Sequence, residues 1–190
     1  MAFQATTIAD VMDPLLVAQR LPKLSERAMR EAIVAQSLAR TPRLRGATQW
    51  ALCDDALLRF ERLVTRAAPD GVRPAILFAE RDRIVSELRR FLGGRLAARL
   101  FAVRRADVVS IGRDAVPFDA VVRGRRGGIY GVVFRRLCGD GRKLETMRAI
   151  RRAARTYAGA ELRGVLVYDF TAGTIRTLRC GTRAVELAAA

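Results

Sequence analysis

Histidine is absent from this 190-residue chain, and several chemistries are excluded with it. There is no Ser-His-Asp triad, no imidazole general base, no His-metal-His nuclease motif and no His-containing zinc site. Cysteine is scarce: Cys53, Cys138 and Cys180 lie far apart and form no C-x-x-C pair. A Cys-only zinc site and a disulfide framework are therefore not expected. Three scattered thiols fit a reducing cytoplasm, which is the expected location. Lysine is scarcer still, with only Lys23 and Lys143. No apolar run approaches the roughly 18 residues that cross a bilayer, so no membrane partner is expected. Residues 1–21 carry Asp10 and Asp13 and lack a basic lead into a hydrophobic stretch, so they do not read as a signal peptide.

What the chain has is arginine. Lys and Arg total 35 against 19 Asp and Glu, a net charge of +16, and half of the residues are apolar (51%), enough to build a core. The charge is uneven. Residues 1–80 hold 11 basic and 9 acidic side chains; residues 81–190 hold 24 and 10. A near-neutral part joined to a strongly basic one points to a polyanion partner, and nucleic acid, DNA first, is the expected one. A GC-rich coding bias accounts for Arg over Lys, but not for the excess of bases over acids.

Periodicity places helices first. Ser25 reads as the N-cap of a helix to Arg40, and a second helix covers Thr48 to Ala68. Pro69-Asp70-Gly71 is a turn and marks the boundary between an N-terminal helical region, 1–70, and a core, 71–190. A helix from Pro74 to Phe91 follows, then a short one from Arg95 to Phe101. The pattern switches to strands at 106–111, 117–122 and 129–137, with a Gly-rich hairpin turn at 124–128. A strong helix is expected over 142–157, then an apolar strand at 164–170 and a last one at 174–178. The fold class is α+β or α/β: N-terminal helices, then a mixed sheet in α-β-β-β-α-β-β order. The N-terminal helices are candidates for homodimerisation.

That order, with Asp119 opening the second strand in Pro117-Phe118-Asp119, resembles the PD-(D/E)XK nuclease superfamily over residues 79–180. The resemblance implies a restriction-endonuclease-like core. It also implies a signature of Asp in strand two and Glu/Asp-x-Lys in strand three. In Ile129-Tyr130-Gly131-Val132-Val133-Phe134-Arg135-Arg136, Val133 falls at the carboxylate position and Arg135 at the lysine position. In such nucleases two carboxylates hold Mg²⁺, which takes oxygen ligands and activates water. Valine offers no oxygen, and arginine is always protonated. Asp119 is the one metal-ligand candidate kept, with Arg135 beside it if the protein is active. Mg²⁺ is the cofactor in that case, and none is expected otherwise.

Three carboxylates are candidates to replace the missing one: Glu80 and Glu87 on the helix before the strands, and Glu145 on the helix after them. The plainer reading of Glu80 and Glu87 is a solvated face paired with Arg81, Arg83 or Arg90. That of Glu145 is a first-turn carboxylate near Arg148. For nucleic acid, Arg148, Arg151, Arg152 and Arg155 follow helical spacing and form one cationic stripe, extended by Arg123, Arg125, Arg126 and Arg136. The readings that follow are a non-catalytic nucleic-acid-binding protein on a degenerate nuclease-like core, an active Mg²⁺-dependent nuclease, and a protein-interaction module.

Overall fold

The computed structural model describes residues 14–38, 45–101, 108–111, 118–123, 128–137 and 162–179. Four helices precede five strands: α1 (Pro14–Leu38), α2 (Arg45–Ala67), α3 (Pro74–Leu92), α4 (Arg95–Leu100), β1 (Val108–Ile111), β2 (Ala120–Arg123), β3 (Ile129–Arg135), β4 (Leu162–Asp169) and β5 (Thr174–Arg179). The expected helix over 142–157 lies outside the described residues. None of the described helices is long and apolar enough to cross a membrane.

α1 departs from its expected start. It begins at Pro14, so Ser25 sits inside the helix rather than capping it. Pro22 suggests a break because it lacks an N–H and crowds the preceding turn. The helix runs through it, and Ser25 is fully buried. α3 starts as its sequence predicts, with Pro74 in the first turn, where a missing N–H costs nothing.

The strands form one sheet in the order β1-β2-β3-β4-β5. β1 and β2, and β2 and β3, pair antiparallel; β4 is parallel to β3, and β5 returns antiparallel to β4. Alternation sorts the side chains onto two faces. Ala120, Val122, Val132, Phe134 and Tyr168 join the core formed with the helices; Val121, Val133, Val165 and Val167 form a second buried cluster on the other face. β4 is therefore buried on both faces, as its near-continuous apolar run requires. Gly131 is needed in β3 because a Cβ there would come 2.6 Å from the Phe118 ring.

The first core joins every described helix to the sheet. Ala28, Met29, Ala32 and Ile33 of α1 and Leu52, Ala56 and Phe60 of α2 belong to it, together with Ile84, Leu88 and Phe91 of α3. Phe91 meets Phe134 and Tyr168 edge-on, at centroid distances of 5.5 and 5.1 Å. Residues on both sides of the Pro69-Asp70-Gly71 turn thus share one hydrophobic core, which presses α1 and α3 against the end of β3. That contact builds the site.

Candidate functional site

Asp119 stands one residue before β2, whereas the sequence predicts it inside a strand that starts at 117, and it is 9% exposed. The β2–β3 register, continued by one step from Ala120↔Val132, sets it across from Val133. Its backbone N–H donates to the Val132 carbonyl at 2.8 Å, and its Oδ2 accepts from the Phe134 N–H at 2.8 Å. The carboxylate thus continues the ladder where the strand itself has ended. Two arginines take up the rest of it. Arg30 of α1 donates to Oδ1 from Nε at 2.9 Å and from Nη2 at 2.5 Å, and Arg135 donates to Oδ2 from Nη1 at 3.3 Å.

Burial and the neighbouring Arg30 guanidinium push the Arg135 pKa down, while Asp119 and Glu26 oppose the shift. Glu26 stands 3.9 Å from Arg30 and 3.8 Å from Arg135. Two carboxylates and two guanidiniums therefore close on one another, and their charges cancel.

These residues do not fit Mg²⁺. The ion needs several oxygens in near-octahedral array. Both Asp119 oxygens already accept hydrogen bonds, and Val133 is 1% exposed in the apolar cluster behind the sheet. Among the described residues no three His, Cys, Asp or Glu side chains converge in metal-holding geometry.

Glu80 and Glu87 are not the solvated face that their arginine neighbours suggest. They are 5% and 6% exposed, and both turn inward to Arg136. Arg136 donates from Nε to Glu87 at 2.9 Å, and from Nη1 to Glu80 and to Ser25 Oγ at 2.6 Å each. Its Nη2 lies 2.8 Å from Glu87, in ion-pair contact but off hydrogen-bond angle. The Ser25 hydroxyl donates to Glu80, and the Arg136 backbone N–H donates to Glu26 at 2.9 Å. Of the expected surface pairs, Arg83–Glu80 is kept at 3.1 Å. Burial raises the Glu87 pKa, with Arg136 pulling the other way. Burial alone would lower the Arg136 pKa, but its contacts with Glu87 and Glu80 outweigh that and raise it.

Arg136 is therefore an internal tie between α1, α3 and β3, and the structure takes it off the proposed cationic stripe. Arg135 and Arg136 are consecutive at the end of β3, so they leave toward opposite sides: one to Asp119, the other to Glu80 and Glu87. Asp169 is also internal, and its Oδ1 accepts from the Leu137 and Thr171 N–H groups at 3.2 and 3.0 Å.

Arg123 is exposed at the far end of β2. Arg125, Arg126, Glu145, Arg148, Arg151, Arg152 and Arg155 lie outside the described residues. Sequence reasoning missed Arg30, Glu26 and Ser25 as site residues. It also missed Arg163 and Arg179, both exposed at the ends of their strands. Away from this site, a cavity of about 80 Å³ between α2 and α3 is lined by Trp50, Cys53, Asp54, Leu57, Val85 and Arg89. Compared with family models, with curated proteins and with solved structures, the chain finds no match in any of the three.

Proposed function

We propose that the protein binds nucleic acid, DNA first, through its arginine-rich half, on a nuclease-like core that does not cleave. One observation carries this reading. Of the described carboxylates in residues 81–190, Glu87, Asp119 and Asp169 are buried and satisfied internally, which leaves Asp82 exposed. Arg95, Arg123, Arg163, Arg176 and Arg179 are all exposed. Three of the four described acids are used inside, whereas among the arginines Arg135 and Arg136 turn inward and most of the others stay outside. The described surface of this half is therefore more cationic than its composition. Arginine suits phosphate because its planar fork donates two parallel hydrogen bonds.

Support for the nuclease-like core comes from the order of elements: a helix, three antiparallel strands, then a strand parallel to the third. Support for the loss of cleavage comes from Arg30 and Arg135 on the single retained carboxylate. The expected result is salt-sensitive binding. If six or more phosphates are neutralised, affinity for a labelled duplex falls by roughly 10³-fold or more between about 50 and 200 mM salt. Fluorescence anisotropy reads it, and no binding to duplex or single strand at low salt overturns the proposal.

A second reading, self-association through α2 and α3, is favoured by Trp50 and Phe78, which are 65% and 60% exposed. Phe78 shares a face of α3 with Val85 and Arg89, and the Arg89 guanidinium lies 5.9 Å over the Trp50 ring. The charges of this region are mixed. Asp54, Glu61 and Asp82 stand among Arg81 and Arg89, with Arg81 3.3 Å from Glu61. A second copy can meet this face with acids opposite arginines, because both signs of charge stand on it. Trp50 is the sole tryptophan, so its emission reports the contact. A blue shift with rising concentration, together with a doubled mass, is expected. Constant emission at a single-chain mass contradicts it.

A further inference from the structure

We infer that one end of the sheet is a phosphate-binding row formed by Arg123, Arg163 and Arg179. The naming of its ligand rests on the nucleic-acid reading; the row itself rests on strand register.

Arg123, the last residue of β2, pairs with Ile129, the first of β3. Ile129 pairs in turn with Leu162, the first of β4. At the next step Tyr130 pairs with Gly164, so Arg163 is an extra residue with no partner in β3. Gly164 pairs with Arg179, the last residue of β5. The three arginines therefore stand at the same end of four adjacent strands, over about 14 Å at the usual strand spacing. Arg123 is on the same face as Ile129, and Arg179, next to Leu178, is on the opposite one, so the row runs across the strand ends rather than along one face.

The bulge makes this arrangement. An inserted residue leaves the alternation of the strand and re-aims its side chain. Leu162 and Val165 both enter the cluster behind the sheet, which unbroken alternation over three residues forbids, and Arg163 is turned out between them. Gly128 completes the placement, because a Cβ there would come 2.5 Å from the Arg163 Cγ. The stem of Arg163 thus lies across the start of β3, between the strands that carry Arg123 and Arg179.

All three arginines are exposed, and none makes an ion pair with a described residue. The sheet's described acids are at its other end: Asp119 before β2 and Asp169 at the end of β4. Arg163 and Asp169 are separated along β4 by about 20 Å, beyond the ~10 Å screening length at 0.1 M salt. A polyanion with regularly spaced phosphates fits such a row; a single small anion does not need its length.

The test compares two triple variants of equal charge loss. R123Q/R163Q/R179Q removes the row, and R62Q/R66Q/R73Q removes three exposed arginines from the near-neutral part. Anisotropy titrations use a labelled 20-base-pair duplex and, separately, labelled inorganic polyphosphate, over a range of KCl concentrations. For the duplex, the row variant is expected to lose about 2.7 from the slope of log affinity against log salt, at 0.9 per phosphate contact. The control keeps the wild-type slope. Gly128→Val, which keeps every arginine but displaces the Arg163 stem, is expected to lose about one contact. The row is overturned if its variant keeps the wild-type slope, or if the control loses as much. If the wild type binds no duplex, the nucleic-acid reading falls. The row is then judged on polyphosphate, where unchanged affinity in R123Q/R163Q/R179Q overturns it.

Discussion

Arg136→Met is expected to cost about 3–5 kcal/mol of stability at pH 7, the usual effect of removing one partner from a buried ion pair. The substitution leaves Glu80 and Glu87 facing each other in the protein, with Arg83 on the outer side of Glu80. The loss depends on pH in a definite direction. Burial already raises the Glu87 pKa in the folded protein, and Arg136 is the group that pulls it back. Without Arg136 it rises further. A carboxyl whose folded pKa exceeds its unfolded one binds its proton more tightly when folded, so its contribution is present at acid pH and lost as pH rises through the folded value. The variant should therefore approach the wild type as pH falls from 7 toward 5. Adding Glu80→Gln and Glu87→Gln to Arg136→Met should recover much of the loss at pH 7. Urea melts at the two pH values decide it: no deficit removes Arg136 from its structural role, and an equal deficit at both contradicts the uncompensated carboxylates as its cause.

Asp119→Ala carries the second large effect, and it separates two roles for the same residue. The substitution removes the acceptor of the Phe134 N–H and strands Arg30 and Arg135 beside each other, with Glu26 as their remaining acid. About 2–4 kcal/mol of stability should go with it. Asp119→Asn keeps a hydrogen-bond acceptor and should lose less. Affinity for DNA should hold or rise, because two guanidiniums lose their carboxylate. A metal-binding Asp119 would behave differently: its removal would abolish Mg²⁺-dependent nicking and leave stability nearly unchanged.

Much of the secondary structure was legible because periodicity survives in short windows. The helices at 48–68 and 74–91 and the strands at 129–137 and 164–170 follow from apolar spacing alone. α1 did not, because Pro22 and Ser25 imitate a helix start while the packing of Ala28, Met29, Ala32 and Ile33 carries the helix through. Asp119 was legible as a special position; its partner Arg30 was not, since 89 residues separate them and nothing local links them.

Glu80 and Glu87 show a signal that was present and outweighed. Their arginine neighbours three residues away suggest a solvated face. Yet Glu80, Ile84, Glu87, Leu88 and Phe91 share one stripe of α3, and that stripe is the buried one. Carboxylates within an apolar stripe call for a buried cation, and Arg135-Arg136 at a strand end offers one to each side. Arg163 had no sequence signal, because a bulge is defined by its neighbour strand.

The most direct measurement of the central claim uses supercoiled plasmid and increasing protein with Mg²⁺ or Mn²⁺, resolved on one gel. The predicted result is retardation that grows with protein and fades with salt, while the plasmid stays supercoiled in wild type and Asp119→Ala alike. Nicking by the wild type that Asp119→Ala abolishes would contradict it and restore Asp119 as a metal ligand.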